Sequence, residues 1–134
     1  MTTRPPLTLR NLLWLDATTC AGFGAILALG SREIGALTQI PPAFLLYTGL
    51  ALLPMAAAIA TAAWPRAVDR RGARLIVTGN ILWVVASALI VVAGWIEPNA
   101  LGLALIAGQA VAVAALTTFE YGALRAPLTP ALSV

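Results

Sequence analysis

The sequence predicts an all-α integral membrane protein, a four-helix up-down-up-down bundle, and three observations carry that expectation. Of the 134 residues 60% are hydrophobic and only 10% charged, at a mean hydropathy of +0.93, so a water-soluble fold has no means of hiding the apolar surface. Four apolar stretches, at about 11–30, 43–64, 75–96 and 100–124, each approach the ~20 residues a helix needs to cross ~30 Å of hydrocarbon. Seven of the eight arginines fall on one side of these stretches, the bias that keeps short loops in the cytoplasm.

The first stretch follows Arg4 and Arg10 and carries Trp14 as an interfacial anchor. A basic start before an apolar run also fits a secretory leader cut near Ala28-Leu29-Gly30, but Asp16 interrupts the run and favours a retained first helix. Residues 31–42 mix Ile34, Leu37 and Ile40 with polar neighbours, the eighth arginine (Arg32) among them, and end at Pro41-Pro42, which predicts a short helix lying in the outer interface. The second stretch has Tyr47 and Trp64 near its two ends and Pro54 in the middle, where proline removes a backbone donor and frees the carbonyl of Leu50. That kink is either a hinge or a distortion that neighbouring helices absorb.

Arg66, Arg70, Arg71 and Arg74 separate the second and third stretches. They read as a topology determinant and also as a cluster for anionic lipid headgroups, at about 1 kcal/mol per arginine near the surface. Glu97-Pro98-Asn99 is a tight turn after the third stretch, and tight turns force antiparallel neighbours. Trp95 anchors the outer interface, Tyr121 the inner, and Arg125 closes the fourth stretch. One four-helix domain over residues 1–125 is expected, followed by a disordered tail, 126–134, with Pro127 and Pro130. Both termini are expected in the cytoplasm.

An internal duplication is suggested by two matches. Asn11-Leu12-Leu13-Trp14 through Thr18 parallels Asn80-Ile81-Leu82-Trp83 through Ser87, and Gly49-Leu50-Ala51-Leu52-Leu53 parallels Gly102-Leu103-Ala104-Leu105-Ile106. The alternative is coincidence in an Ala/Leu/Val-rich vocabulary. Two copies of a helix pair in one orientation are related by an axis along the membrane normal.

Composition removes several classes of function. With no His and one Cys, zinc, haem, iron–sulfur and disulfide chemistry lack their ligands, and no cofactor is expected. The net charge of +3 resides in loops, so nucleic acid is not an expected partner. No nucleophile has an activating base: Cys20 has no His and Ser87 no obvious activator, so no catalytic residue is assigned.

What remains is a layer of polar residues at membrane depth. A charge at the centre of a spanning helix costs about 2.5–3.5 kcal/mol by insertion scales, less toward its ends, so each calls for a reason. Asp16 lies six residues inside Arg10, Asn80 six inside Arg74 and Glu120 five inside Arg125, placing all three at one depth. Helical phase groups Asp16 with Thr19, Cys20 and Phe23, Asn80 with Trp83, Ser87 and Gly94, and Glu120 with Gln109, Val113 and Leu116. Turned inward, these faces form a candidate intramembrane site of Asp16, Asn80, Trp83, Gln109 and Glu120. In it the carboxylates would hold a proton or cation, with the amides as neutral ligands and Trp83 as a wall. The plainer alternative, favoured by nearness to the interface, has the carboxylates pairing with Arg10, Arg74 or Arg125 while Asn80 and Gln109 link helices at about 0.6 kcal/mol per bond. Two stripes of small residues, Cys20-Gly24-Ala28 and Ala104-Gly108-Ala112, allow close helix contact or a homodimer face, and Cys20 is most simply one of these.

Leu13-Trp14-Leu15-Asp16-Ala17, Gly79-Asn80-Ile81-Leu82-Trp83, Gln109-Ala110 and Glu120-Tyr121 give the chain its resemblance to small four-helix bacterial inner-membrane proteins. That resemblance implies a fold and no activity. Small multidrug exporters look similar in length but place a Glu in a different aromatic setting from that of Asp16. Quinone-linked thiol enzymes need paired Cys, and glutathione-dependent transferases need polar motifs absent here. The functions expected, in order, are an accessory or lipid-interacting membrane subunit with lipid, protein or self as partner, then a small proton- or cation-coupled carrier or channel using Asp16 and Glu120.

Overall fold

Capping chemistry sets the element boundaries. Residues 8–65 and 67–126 are described by the computed structural model, and among them every regular element is helical. The helices are α1 (Leu9–Leu29), α2 (Ser31–Thr38), α3 (Pro42–Ala63), α4 (Arg70–Val92) and α5 (Ala100–Arg125). Four of them, α1, α3, α4 and α5, are long and apolar enough to cross a membrane. Arg4, Arg66 and residues 127–134, the bulk of the expected tail, lie outside the described residues.

Thr8 caps α1 through its hydroxyl, which accepts from the Asn11 amide at 3.2 Å. Gly30 joins α1 to α2, and Gln39 ends α2 in the left-handed region at φ 58°. Pro42 occupies the first turn of α3, where its missing N–H costs no hydrogen bond. The expected short helix between the first two spans is α2, and α3 continues through Pro54 without interruption.

The third span departs from its expected position at 75–96. Asp69 accepts from the Arg71 amide at 3.1 Å and starts the helix at Arg70, while Gly94, at φ +71°, follows its end at Val92. Arg70, Arg71 and Arg74 are therefore helical, and Gly94 leaves the Asn80 stripe. Asn99 then caps α5, its side chain accepting from the Gly102 amide at 2.9 Å.

Packing divides the bundle into two pairs, α1 with α3 and α4 with α5, which meet each other more loosely. The α1/α3 seam is closed by glycine: a Cβ on Gly49 would stand 2.5 Å from the Gly24 carbonyl oxygen and 2.6 Å from the Ala28 nitrogen. Small side chains let these backbones touch and gain dispersion that lipid does not offer in competition. The corresponding stripe on α5 does not form a seam within the chain. Ala104, Gly108 and Ala112 are exposed, and a Cβ on Gly108 would meet open space.

Each pair is pinned at its arginine end in the same way. Arg10 of α1 donates from Nε to the Ala63 carbonyl at the end of α3, at 3.1 Å, and Arg70 of α4 donates to the Leu124 carbonyl near the end of α5. Both arginines satisfy carbonyls that a helix end leaves without an intrahelical partner. The Asn…Trp match sits at unequal register, since Asn11 is the third residue of α1 and Asn80 the eleventh of α4. Leu13, Ala17, Ile59, Ala63, Ala73 and Leu124 form a core at this end. Leu27, Ile40, Leu45, Leu52 and Ile96 form another toward α2. There Asn99 joins the start of α5 to α2, donating its amide to Leu37 O at 2.8 Å and its backbone N–H to Thr38 O at 3.0 Å.

Candidate functional site

Between the two cores, α1, α4 and α5 bring three polar side chains together. Asn80 Nδ2 donates to Asp16 Oδ2 at 2.9 Å and to Glu120 Oε2 at 3.3 Å, so one amide bridges two carboxyl groups. Asp16 and Asn80 are each 5% exposed and Glu120 is 0% exposed. Glu120 Oε1 is fully enclosed and meets no N–H or hydroxyl donor among the described residues, and the Asp16 and Glu120 carboxyl groups lie within hydrogen-bonding reach of each other. The bond to Glu120 lies within the α4/α5 pair, whereas the shorter bond to Asp16 crosses between pairs.

One turn along α4, Trp83 begins a second polar group. Its indole N–H donates to Gln109 Oε1 at 2.9 Å, Gln109 Nε2 donates to Ser87 Oγ at 3.0 Å, and the Ser87 hydroxyl donates to the Trp83 carbonyl at 2.8 Å. The ring of bonds fixes the indole plane and engages one of the two Gln109 amide hydrogens. The five residues singled out in the sequence therefore form two adjoining groups, Asp16-Asn80-Glu120 and Trp83-Gln109.

A cavity of about 450 Å³ adjoins both groups. Asp16, Thr19, Cys20 and Phe23 of the α1 stripe line it, as do Asn80 and Trp83 of α4 and Gln109, Val113 and Leu116 of α5. Glu120 sits behind Asn80, away from the cavity wall. A second, more apolar cavity of about 390 Å³ shares Phe23, Trp83 and Gln109 with the first and extends toward α2 between Phe44, Tyr47 and Ile96. Trp83 thus stands where the two spaces meet.

The expected arginine partners of the carboxylates are engaged elsewhere or turned outward. Arg10 and Arg70 cap helix ends, Arg125 reaches Tyr121 (5.5 Å from its ring centroid), and Arg71 and Arg74 are exposed. Arg70 consequently has a role inside the fold that the headgroup-cluster reading does not include. Among the described residues no three His, Cys, Asp or Glu side chains gather as a metal site requires.

Four residues contribute beyond the five singled out in the sequence. Ser87 lay on the predicted stripe, but only its contact with Gln109 shows that it completes the ring. Cys20 acts as more than a small seam residue: its thiol donates to the Leu52 carbonyl at 3.4 Å, and its side chain lines the cavity. Met55 and Leu52 of α3 also face that space, and nothing in their apolar run marks them. Most threonine hydroxyls bond carbonyls three or four residues back in their own helices, as Thr117 does to Val113 at 2.7 Å, and so leave the site to the carboxylates and amides.

No protein-family model, curated protein or solved structure matches this chain.

Proposed function

We propose that the protein is a small proton- or cation-coupled carrier of a bacterial inner membrane, with both termini and the arginine-rich connection in the cytoplasm. One observation carries the reading: two buried carboxyl groups on different helices share a single neutral amide, with no arginine among their partners in the described residues. Two negative charges in a low dielectric repel, so the pair requires a positive charge brought from outside the fold, as a proton or a cation. A purely structural link between helices would be served more cheaply by neutral amides.

The two-pair architecture supplies the moving part. The Asn80–Asp16 bond ties the pairs together on the arginine side, the Asn99 contacts hold α5 to α2 at the other end, and the cavities lie between. A positive charge arriving at Asp16 competes with the Asn80 donor for the same carboxylate. Loosening that tie lets one pair rock against the other, the form that alternating access takes in many carriers.

The test is flux in liposomes loaded with a pH-sensitive dye under an imposed proton or cation gradient. Wild type should dissipate the gradient faster than protein-free vesicles, and Asp16→Asn and Glu120→Gln should bring the rate back to that of empty vesicles while keeping native helicity. Wild-type rates in both folded variants would remove the carrier reading. The accessory-subunit reading has one observation in its favour, the open Ala104-Gly108-Ala112 stripe on α5, which suits a partner helix or a second copy. Gentle extraction that repeatedly recovers only the monomeric chain counts against it.

A further inference from the structure

We infer that the cargo is a lipophilic organic cation, an amine or onium centre on an aromatic or branched apolar body, seated between the helix pairs with its charge at Asp16 and its body against Trp83 and Phe23. The inference rests on the carrier reading above and names what is carried.

The hydrogen-bonding capacity of the cavity wall narrows the chemistry. Thr19 is spent on the Leu15 and Asp16 carbonyls, the Cys20 thiol on Leu52, the Trp83 indole on Gln109, and the Asn80 amide on the two carboxyl groups. Asp16 is different. A carboxylate has about four acceptor sites, and Asn80 and the Glu120 carboxyl occupy only part of that capacity at Asp16. The wall therefore offers negative charge and acceptor capacity but few free donors, which suits a cation and disfavours anions and sugars. Glu120 Oε1, enclosed and meeting no N–H or hydroxyl donor among the described residues, adds further acceptor capacity to the same cluster.

Size and surface select the kind of cation. A bare metal ion prefers six or more oxygen ligands, or a rigid octahedral set, and this wall is mostly carbon: Leu15, Phe23, Leu52, Met55, Val113 and Leu116. A volume of about 450 Å³ falls in the range of small-molecule pockets, roughly 300–1,000 Å³. Trp83 and Phe23 offer aromatic surfaces beside the carboxylate, and aromatic faces attract an organic cation as well as its apolar body. Both residues also line the second cavity, so a ligand moving toward α2 keeps an aromatic contact on the way.

The test is equilibrium binding of tetraphenylphosphonium to the purified full chain in detergent, with tetraphenylborate, its near-isosteric anion, as comparison and protein-free micelles as baseline. Saturable binding of the phosphonium and none of the borate is expected. Asp16→Asn should weaken phosphonium binding by at least about tenfold through loss of the charge, and Trp83→Leu by roughly two- to fivefold through loss of the aromatic face. Equal binding of the borate, or undiminished phosphonium binding by a folded Asp16→Asn chain, overturns the inference. If Asp16→Asn does not fold, Trp83→Leu decides, and wild-type affinity there is equally fatal. Aspartate-dependent proton flux without phosphonium binding refutes the cargo and keeps the carrier, whereas charge-selective binding without flux in liposomes refutes the carrier itself.

Discussion

Replacing Asn80 with leucine tests whether the bridging amide holds the two helix pairs together. Leucine keeps the branched outline of asparagine with a somewhat larger bulk, so the change removes hydrogen bonds without opening a void. The bond to Asp16, at 2.9 Å, has ordinary geometry, whereas the 3.3 Å bond to Glu120 is beyond the usual range and weaker. Hydrogen bonds to charged groups contribute about 1.5–3 kcal/mol each in soluble proteins, while interhelical bonds in membranes average about 0.6 and reach about 1.7 kcal/mol. Counting the first bond near the top of the membrane range and the second at about half of it gives roughly 2–3 kcal/mol. That corresponds to about a 30- to 140-fold shift in the folded-to-unfolded ratio. The assay is reversible unfolding in mixed micelles, titrated with a denaturing detergent and followed by helical circular dichroism. Thr78→Ala serves as the control, because the Thr78 hydroxyl is exposed and bonds only the Arg74 carbonyl of its own helix. The expected order is Asn80→Leu well below wild type, with Thr78→Ala within about 0.5 kcal/mol of it. A leucine variant as stable as the control would show that the bridge does not bind the pairs, and the proposed latch would lose its basis.

The two small-residue stripes should respond oppositely to the same substitution. Gly49→Leu drives a side chain into the backbone of α1 and should cost at least about 3 kcal/mol, whereas Gly108→Leu, pointing to open space, should leave monomer stability within about 0.5 kcal/mol; thermal unfolding of both variants in detergent distinguishes the cases, and equal losses would contradict the described seam. For topology, in a Cys20→Ala background, Arg71→Cys should resist an impermeant maleimide added to intact cells and Arg32→Cys should react with it. The reverse pattern would invert the orientation on which the carrier reading depends.

Part of this protein was fixed by its linear order of residues. A chain in lipid must satisfy its backbone internally, so four apolar runs of spanning length separated by arginine-bearing connections admit four helices and little else. The depth of Asp16, Asn80 and Glu120 was equally legible, because a rise of 1.5 Å per residue converts distance from a flanking arginine into depth. Their shared stripe with Gln109, Trp83 and Cys20 was legible too, since polar residues are the one signal that separates an inward face from an outward one.

The tertiary structure decided which faces meet, and the reason lies in the solvent. Lipid tails are as apolar as leucine, so hydrophobic periodicity does not tell an inner face from an outer one, and no spacing rule distinguishes Leu52 and Met55, which line the cavity, from the exposed Leu50 and Leu53 beside them. Spacing by four marks Cys20-Gly24-Ala28 and Ala104-Gly108-Ala112 alike, yet only the first finds a partner glycine at contact distance, on α3. The arginines were read as loop charges, and only the convergence of helix ends shows Arg10 and Arg70 capping the neighbouring helix of each pair. Whether Asn80 would meet one carboxylate, both, or neither depended on the rotation of three helices about their axes, a quantity set by packing between chain segments that the order of residues along any one of them does not contain.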